Sequence, residues 1–328
     1  MVRRACAGRL GKETLMDIRG LTPATVTPFR EDGSIDYKDL EAHLVAVASA
    51  EGVTGIAVNG HAGEVLALSP EERAKIVSVA RKALPGRLKV IAGIEAHDPE
   101  MLVRDGLAAR DAGADGLLVL PPFDIRPYRR LAQDPDSVLA VFGKLDREIG
   151  LPMIVFQYPD ASGCAYSVAA LLRIAELPNV VGVKVSTPEV SRYVEIYEAL
   201  KGRVAILPAS DAPPLLGMLL HGAQGALIGI SVVGTPHWSE LVREVTAGSA
   251  QRAKEIFHRV CLPLMAALFE NQQPKTLINP FAATKEALMQ LGQLRCAQVR
   301  PPSIKPDGPR QASIRRALID AGLLHPSA

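Results

Sequence analysis

One lysine lies inside a run of valines near the middle of the chain, in the segment NVVGVKVSTPE. If this run is a strand, its side chains alternate between two faces, so Lys184 shares a face with Gly182 and Ser186 and lies opposite Val181 and the later valines. An amine withdrawn from water has a lowered pKa, and the neutral amine can attack a ketone to form a Schiff base. A lysine that extends from a strand end into solvent is the alternative. The strand position alone does not decide between the two.

A glycine-rich turn is the second candidate for chemistry, in the segment VNGHAGEVLALSPEER. Gly60 and Gly63 allow a tight turn in which backbone N–H groups converge, and such a turn can bind a carboxylate. His61 lies between them and carries an imidazole, which can act as a general acid or base near neutral pH. A histidine that only packs or hydrogen-bonds is the alternative. The turn does not by itself define a binding site.

Eight short apolar runs, separated by amphipathic segments typical of helices, are predicted to be the strands that position these residues. Eight strand–helix units over about 230 residues match the size of a (β/α)8 TIM barrel. The nearly continuous apolar character of the runs suits a parallel sheet that is covered on both faces. A doubly wound sheet is the alternative, but the chain has no GxGxxG turn. The predicted strands are 23–27, 52–58, 88–94, 113–119, 152–158, 179–185, 204–210 and 222–228.

The candidate residues fall where a barrel places its chemistry, at the carboxyl ends of the strands. Lys184 is near the end of the sixth predicted strand, and His61 follows the second. The helix after the turn is predicted to begin with Ser69, Pro70 and Glu72 as a cap and first turn. After about residue 246 the pattern is helical only. We therefore predict an extension over residues 1–17, a barrel over 18–245 and a C-terminal helical domain over 246–328.

Composition argues against several classes of function. The 328 residues carry a net charge of +2, with no basic footprint for nucleic acid and no acidic tail. No stretch reaches about 18 apolar residues, so neither a secretion signal nor a membrane span is expected. The four cysteines are far apart and form no CxxC pair. We therefore expect a protein of the reducing cytoplasm.

Several segments together resemble the dihydrodipicolinate synthase and N-acetylneuraminate lyase family, the pyruvate-dependent Schiff-base aldolases. The likeness runs nearly end to end and includes PATVTPFREDGSIDYKDLEAHL, GADGLLVLPPF, LPMIVFQYP and GAQGALIGIS. The family turn G-[TS]-[TS]-G-E is here GHAGE, and the lysine of the family motif G-[IVL]-K-x-[SA], which forms the imine, is Lys184 in GVKVS. The resemblance implies a barrel with a C-terminal helical domain, a homotetramer, and pyruvate or another 2-keto acid as partner. It also implies a reaction without metal or cofactor.

The sequence departs from the family pattern where protons are transferred. The family's fifth strand ends in Y-N-x-P, whose tyrosine moves a proton beside the imine, whereas VFQYP puts Phe156 and Gln157 at those positions. Tyr158 lies on the same strand face as Phe156, about 6–7 Å further along, and either presents its hydroxyl to the site or packs at the rim. His61 stands where the family has the first turn hydroxyl. We hypothesise that His61 or Tyr158 has taken over the lost proton transfer.

Other departures concern how a substrate is held. Ala62 replaces the second turn hydroxyl, which leaves the N–H groups of Ala62 and Gly63 to bind the keto-acid carboxylate. Ala161 stands where dihydrodipicolinate synthase has an arginine for a second carboxylate, so lysine biosynthesis is not expected. Ser210 and Asp211 lie where sialic-acid lyases place polar groups, although they also suit a helix N-cap. The pocket is predicted to suit a hydrophobic keto acid, with the lining residues Phe123, Phe156 and Ile228.

Two other functions stay open from the sequence. Glu95 and His97 follow the third strand as E-x-H and, with further carboxylates or imidazoles, would suit a metal site, although AHDPE equally begins a helix. The second open function is that of a non-catalytic relative, which binds a keto acid at Lys184 without turning it over. The sequence favours an enzyme, a carbon–carbon or carbon–oxygen lyase, because burying a lysine costs stability that a retired site has no reason to keep.

Overall fold

The computed structural model describes residues 16–269 and 279–326, so most of the predicted extension over 1–17 lies outside the described residues. Strands and helices alternate through the first part of the chain. The strands are β1 (Gly20–Pro23), β2 (Gly55–Val58), β3 (Lys89–Ile94), β4 (Gly116–Val119), β5 (Met153–Gln157), β6 (Val180–Val185), β7 (Ala205–Pro208) and β8 (Gly225–Ile228). The helices between and after them are α1 (Tyr37–Ala48), α2 (Pro70–Ala83), α3 (Pro99–Asp111), α4 (Pro135–Ile149), α5 (Val168–Ile174), α6 (Val190–Leu200), α7 (Leu215–Leu220) and α8 (Thr235–Thr246).

The strands pair in parallel, in an order that follows the sequence. Strands β2 to β7 form one six-stranded sheet, and β1 pairs with β8. Bridges between Leu21 and Val53 and between Ala24 and Ala57 link β1 to β2, whereas no ladder joins β7 to β8 in the described ranges. With a helix after each strand, the chain has the TIM-barrel-like α/β fold that the sequence predicts.

The first strand lies three residues earlier than the predicted 23–27. Gly20–Pro23 pair with Gly225–Ile228, and beyond Pro23 the chain makes only single hydrogen bonds to its neighbours, such as Ala24 N to Ile228 O at 3.1 Å. The prediction was wrong because Gly20 looks like a turn residue in the sequence. Its positive φ of 84° does let the chain enter the strand sharply.

Alternate residues of the strands supply two separate cores. The inner core fills the inside of the curved sheet, and the outer core lies between the sheet and the helices. In β2, Ala57 belongs to the inner core, while Ile56 and Val58 belong to the outer core. In β8, Leu227 is in the inner core and Ile228 in the outer core. The face on which a strand residue lies therefore decides whether it can reach the inside of the barrel.

An extra residue in β6 sets the side on which its lysine lies. Ile154 pairs with Gly182 and Phe156 with Lys184, but the pairing shifts by one residue just before Ile154. Val181 is the additional residue, and it lies in the inner core instead of on the opposite face, where strict alternation predicted it. Beyond this bulge the alternation is as predicted. The bulge thus turns Lys184 inward, beside Phe156 on the neighbouring strand.

Helix α2 begins as the sequence predicts, with a complete capping box. The Ser69 hydroxyl accepts a hydrogen bond from Glu72 N at 3.2 Å, and the Glu72 carboxylate accepts one from Ser69 N at 2.9 Å. Pro70 is the first helical residue, where its missing N–H has no cost. This cap fixes the distance between the glycine-rich turn and the helix that follows it.

After α8 the regular elements of the described chain are helices, and an isolated bridge joins Gln298 to Phe29. The helices are α9 (Ala250–Ile256), α10 (Leu262–Phe269), α11 (Pro280–Gln290) and α12 (Gly308–Asp320), with a π-helical turn at Phe257–Cys261 between the first two. Helix α8 ends at Thr246, beside the predicted boundary between 245 and 246; the division into two domains stays a prediction. In the described ranges, no helix is both long and apolar enough to cross a membrane.

Candidate active site

Lys184 lies near the carboxyl end of β6 and is 8% exposed. Its Nζ lies 3.9 Å from the centroid of the Phe156 ring, over the ring face. Phe156 is the direct neighbour of Lys184 on β5. The aromatic face attracts the ammonium form, but the surrounding inner core provides little water. The structure therefore places the amine inside the sheet and not at a solvated strand end.

Burial lowers the pKa of Lys184 from 10.5 to about 8, and the Asp211 carboxylate partly opposes this shift. Asp211 follows β7, and its Oδ1 accepts a hydrogen bond from Ile230 N at 2.9 Å. Burial raises the pKa of Asp211 to about 6, against the effects of that N–H group and of Lys184. At pH 8 about half of the Lys184 amines are therefore neutral and able to attack a carbonyl.

His61 and Tyr158 form a hydrogen-bonded pair beside Phe156. The Tyr158 hydroxyl lies 2.5 Å from His61 Nε2. The Phe156 ring centroid is 4.8 Å from that of Tyr158 and 5.5 Å from that of His61. The sequence left open whether Tyr158 points into the site or packs at the rim, and the structure joins its hydroxyl to the imidazole. Both side chains and Lys184 thus contact the same phenyl ring.

Both members of this pair are neutral at pH 7. Burial, together with the charge of Lys184, lowers the pKa of His61 to about 4. Burial raises the pKa of the Tyr158 hydroxyl well above its ordinary value, and the nearby Asp124 carboxylate adds to the shift. In the tautomer protonated at Nδ1, His61 Nε2 accepts a hydrogen bond from the Tyr158 hydroxyl. The Tyr158 hydroxyl can give up a proton and take one back, while the imidazole holds the hydroxyl in position.

The glycine-rich turn after β2 is held by its own backbone and by the segment that follows β1. Glu64 N donates to His61 O at 3.0 Å, and the Thr27 hydroxyl donates to Gly63 O at 2.8 Å. The N–H groups of Ala62 and Gly63 have no acceptor among the described residues. Ala62 is buried against the inner core. The two N–H groups that the sequence assigns to a carboxylate are therefore unused by the protein itself.

A buried ion pair that the sequence analysis missed anchors the same turn. Glu64 has a left-handed backbone, with φ of 57°. Its carboxylate accepts hydrogen bonds from Lys285 Nζ at 2.5 Å and from Arg300 N at 3.1 Å. Lys285, on α11, is fully buried, and burial lowers its pKa to about 8 although Glu64 opposes the shift. The C-terminal helices thus fix the turn that carries His61.

Other residues predicted for the site lie at varied distances from this centre. Gln157 bonds to the backbone N–H and carbonyl of Tyr166 and so fastens the loop after β5. Phe123 packs edge-on against Tyr166, at 6.4 Å between centroids, in the outer core, which also contains Ile228. Ser210 is buried beside Asp211. The structure therefore groups Lys184, Phe156, His61 and Tyr158 closely, and puts Phe123 and Ile228 on the helix side of the sheet.

The residues of the metal hypothesis are only loosely paired. His97 Nε2 lies 4.0 Å from Glu95 Oε1, and His97 Nδ1 lies 3.2 Å from the Pro122 carbonyl oxygen. Burial raises the pKa of Glu95. In residues 16–269 and 279–326, no three histidine, cysteine or carboxylate side chains are grouped as metal ligands.

Comparison with known proteins assigns the chain to a family. The model of the dihydrodipicolinate synthetase family matches residues 17–320. The chain belongs to the dihydrodipicolinate synthetase family. Membership confirms the resemblance seen in the sequence and, at the level of the family, the prediction of an enzyme of the lyase class.

Individual relatives of this family member match along nearly their whole length. The 4-hydroxy-tetrahydrodipicolinate synthase of Rhodopseudomonas palustris is 32% identical over 307 residues, which cover 94% of this chain and 98% of the relative. The crystal structure of the Aquifex aeolicus dihydrodipicolinate synthase superposes with a TM-score of 0.81 at 28% identity, covering 93% and 98% of the two chains. That of the Acinetobacter baumannii enzyme, described as complexed with pyruvate, has a TM-score of 0.80 at 26% identity, covering 94% and 100%.

Proposed function

We propose that this chain is a class I, metal-independent lyase that captures a 2-keto acid as an imine on Lys184. The observation that carries the proposal is the buried amine over the Phe156 ring, with the His61–Tyr158 hydrogen bond beside the same ring. A pKa of about 8 gives the amine a reactive neutral fraction at physiological pH. The pyruvate complex of the Acinetobacter baumannii relative supports a keto acid as the bound molecule.

The reaction would begin with attack of the neutral Lys184 amine on the C2 carbonyl. The ketone oxygen leaves as water after it takes up two protons, one from the amine and one from the Tyr158–His61 pair. The pair then lacks one proton. The iminium that results draws electrons from C3, and the Tyr158 oxygen accepts a C3 proton, which returns the Tyr158–His61 pair to its neutral state. The enamine formed in this way can break or form a bond to carbon or oxygen at the next position.

The substrate carboxylate would lie on the glycine-rich turn. The N–H groups of Ala62 and Gly63 have no acceptor among the described residues and so are free to bind an anion. Ala161, where a family arginine would bind a second carboxylate, offers no charge. We therefore propose a substrate other than that of dihydrodipicolinate synthesis, in a reaction that is either an aldol cleavage or a dehydration.

We further propose that the protein is a cytoplasmic homotetramer and that its sheet closes as a full eight-stranded barrel followed by a C-terminal helical domain. The side-by-side position of β7 and β8 supports closure. Among the described residues Cys164, Cys261 and Cys296 are unpaired thiols, which suits a reducing compartment. The tetramer rests on the resemblance to the family.

Reductive trapping tests the proposed function. Incubation with pyruvate and borohydride is expected to add one pyruvate-derived group to the protein, located on Lys184 by peptide mass spectrometry. Lys184→Ala removes the amine and should give no such adduct. As a control, Lys201→Met removes an exposed lysine outside this site and should keep the adduct. Failure of every 2-keto acid to form an adduct on Lys184 would refute the imine mechanism.

The lowered pKa of Lys184 predicts a specific pH profile. The trapping rate with pyruvate and cyanoborohydride should rise about tenfold per pH unit below pH 8 and level off above it, because only the neutral amine attacks. Since the Asp211 carboxylate stabilises the ammonium form, Asp211→Asn should move the inflection to lower pH. The side-chain amine of Nα-acetyl-lysine, measured in parallel, gives the pH profile of a solvated lysine. An inflection of the protein near that of Nα-acetyl-lysine would contradict the prediction.

A further inference from the structure

A cleft of about 360 Å³ opens beside His61, between the turn after β2 and the C-terminal segments. This volume lies within the range of about 300–1,000 Å³ that is typical of small-molecule sites. Most of its lining is apolar, and the side chains that supply this character are Val65, Leu66, Phe281, Pro301 and Pro302. Leu66 is 76% exposed, so the mouth of the cleft presents a large apolar side chain to solvent. Burial of that side chain against an apolar ligand would be favourable.

The cleft and the site around Lys184 share one residue, His61. His61 lines the cleft and also contacts the Phe156 ring, over which the Lys184 amine lies. Phe281 lines the cleft from α11 and packs against the inner core. Phe281 comes so close to Gly229 that a Cβ there would lie 2.7 Å from its ring. A molecule bound at Lys184 therefore reaches the cleft by passing His61.

The charged groups that line the cleft are already paired within the protein. Glu64 is bound by Lys285 and Arg300, and the Arg300 guanidinium donates to Glu72 at 2.6 and 2.7 Å. Asn279 donates to the Ser303 hydroxyl at 2.9 Å. A second carboxylate would have to displace one of these contacts and would lose its hydration. The cleft therefore favours an uncharged occupant.

We infer that this cleft holds the tail of the substrate, and that the substrate is a 2-keto acid with an uncharged, apolar extension beyond C3, such as an alkyl chain or an aryl group. The inference rests on the proposed imine chemistry at Lys184. The keto-acid head occupies the space between Lys184 and the turn, C3 lies beside the His61–Tyr158 pair, and the tail passes His61 into the cleft. Pyruvate ends before the cleft begins and leaves it empty.

Competition between chain lengths tests this assignment by trapping on Lys184. The half-saturating concentration for adduct formation should fall at least tenfold from pyruvate to 2-oxooctanoate, since each buried methylene is worth on the order of threefold. 2-Oxohexanoate and 2-oxoadipate have six carbons each but differ in a terminal carboxylate. The uncharged member should be trapped at the lower concentration, because the paired charges of the cleft leave no cation for the second carboxylate.

Two tryptophan variants locate the effect in the molecule. Leu66→Trp fills the mouth of the cleft. The half-saturating concentrations of 2-oxooctanoate and pyruvate should then become equal, so that their ratio is near one. Leu220→Trp, at an exposed leucine of α7 outside the cleft, should keep the wild-type ratio. Circular dichroism confirms that each variant is folded. A wild-type ratio near one, or a Leu66→Trp ratio equal to that of the wild type, overturns the tail assignment alone. Absence of any adduct on Lys184 overturns the imine chemistry and the tail assignment with it.

Discussion

His61→Ala is expected to slow exchange of the C3 protons of bound pyruvate by about 10²–10⁴-fold, the usual contribution of a positioned acid or base. The imidazole is hydrogen-bonded to the Tyr158 hydroxyl, and both side chains lie beside the Phe156 ring, over which the Lys184 amine lies. Removal of the imidazole leaves Tyr158 without a partner for its proton. Exchange is measured by NMR as loss of the pyruvate methyl signal in D2O, and borohydride trapping of the same samples reports imine formation separately.

Matched variants decide how this loss is interpreted. Tyr158→Phe should give a similar loss of exchange, and the double variant should be little worse than either single variant, because the two groups act as one unit. His258→Ala removes an exposed imidazole outside the His61–Tyr158 pair and should keep exchange near the wild-type rate. Exchange that persists in both single variants would show that another group moves the proton. If the wild-type protein forms a trapped pyruvate adduct but never exchanges C3 protons, it binds keto acids without turning them over. Phe156, at the position of the family tyrosine, is consistent with that outcome.

Glu64→Leu is expected to lower the free energy of unfolding by about 3–5 kcal/mol, because it leaves the Lys285 ammonium buried without a carboxylate to balance its charge. Lys285 is fully buried, and its pKa of about 8 shows how strongly its surroundings disfavour the charge. The substitution also frees the turn that presents His61. Urea unfolding followed by circular dichroism at pH 7 measures the change.

Two comparisons test the cause of this loss. The double variant Glu64→Leu with Lys285→Met removes both charges and should recover much of the stability. Glu198→Ala breaks an exposed pair with Lys201 and should leave the unfolding midpoint unchanged. If Glu64→Leu is as harmless as Glu198→Ala, the ion pair contributes little to the fold. If the double variant is as unstable as the single one, packing and not charge explains the loss.

The parts of this protein that were predictable from sequence are those that depend on neighbouring residues. Alternation within β6 predicted that Lys184 shares a face with Gly182, although the bulge at Val181 was missed, and the family motif GVKVS indicated that this lysine belongs to the site. The capping box of α2 was predictable because Ser69 and Glu72 are three residues apart. The first strand was placed too late, because Gly20 resembles a turn until its partner strand β8 is known.

Features that depend on distant residues were not predictable. Nothing near Glu64 indicates that Lys285, 221 residues later, is its partner. The hydrogen bond between His61 and Tyr158 joins two loops 97 residues apart, so the sequence named both candidates but not their contact. Ile228 lies in the outer core because a small shift of strand phase, invisible in an apolar run, moves a side chain to the other side of the sheet. Phe123 lies in the loop after β4, where no alternation predicts the direction of a side chain.

The buried pair between Glu64 and Lys285 also bears on the order in which the molecule matures. During synthesis the β2 turn leaves the ribosome more than 200 residues before the helix that neutralises its carboxylate. Until α11 docks, the Glu64 carboxylate has no ammonium partner. Little then holds Glu64 in its left-handed backbone conformation, which is unfavourable for a residue other than glycine. A nascent chain that has completed all eight strands therefore still lacks an organised His61 turn. Organisation of the site is therefore expected to follow docking of the C-terminal helices.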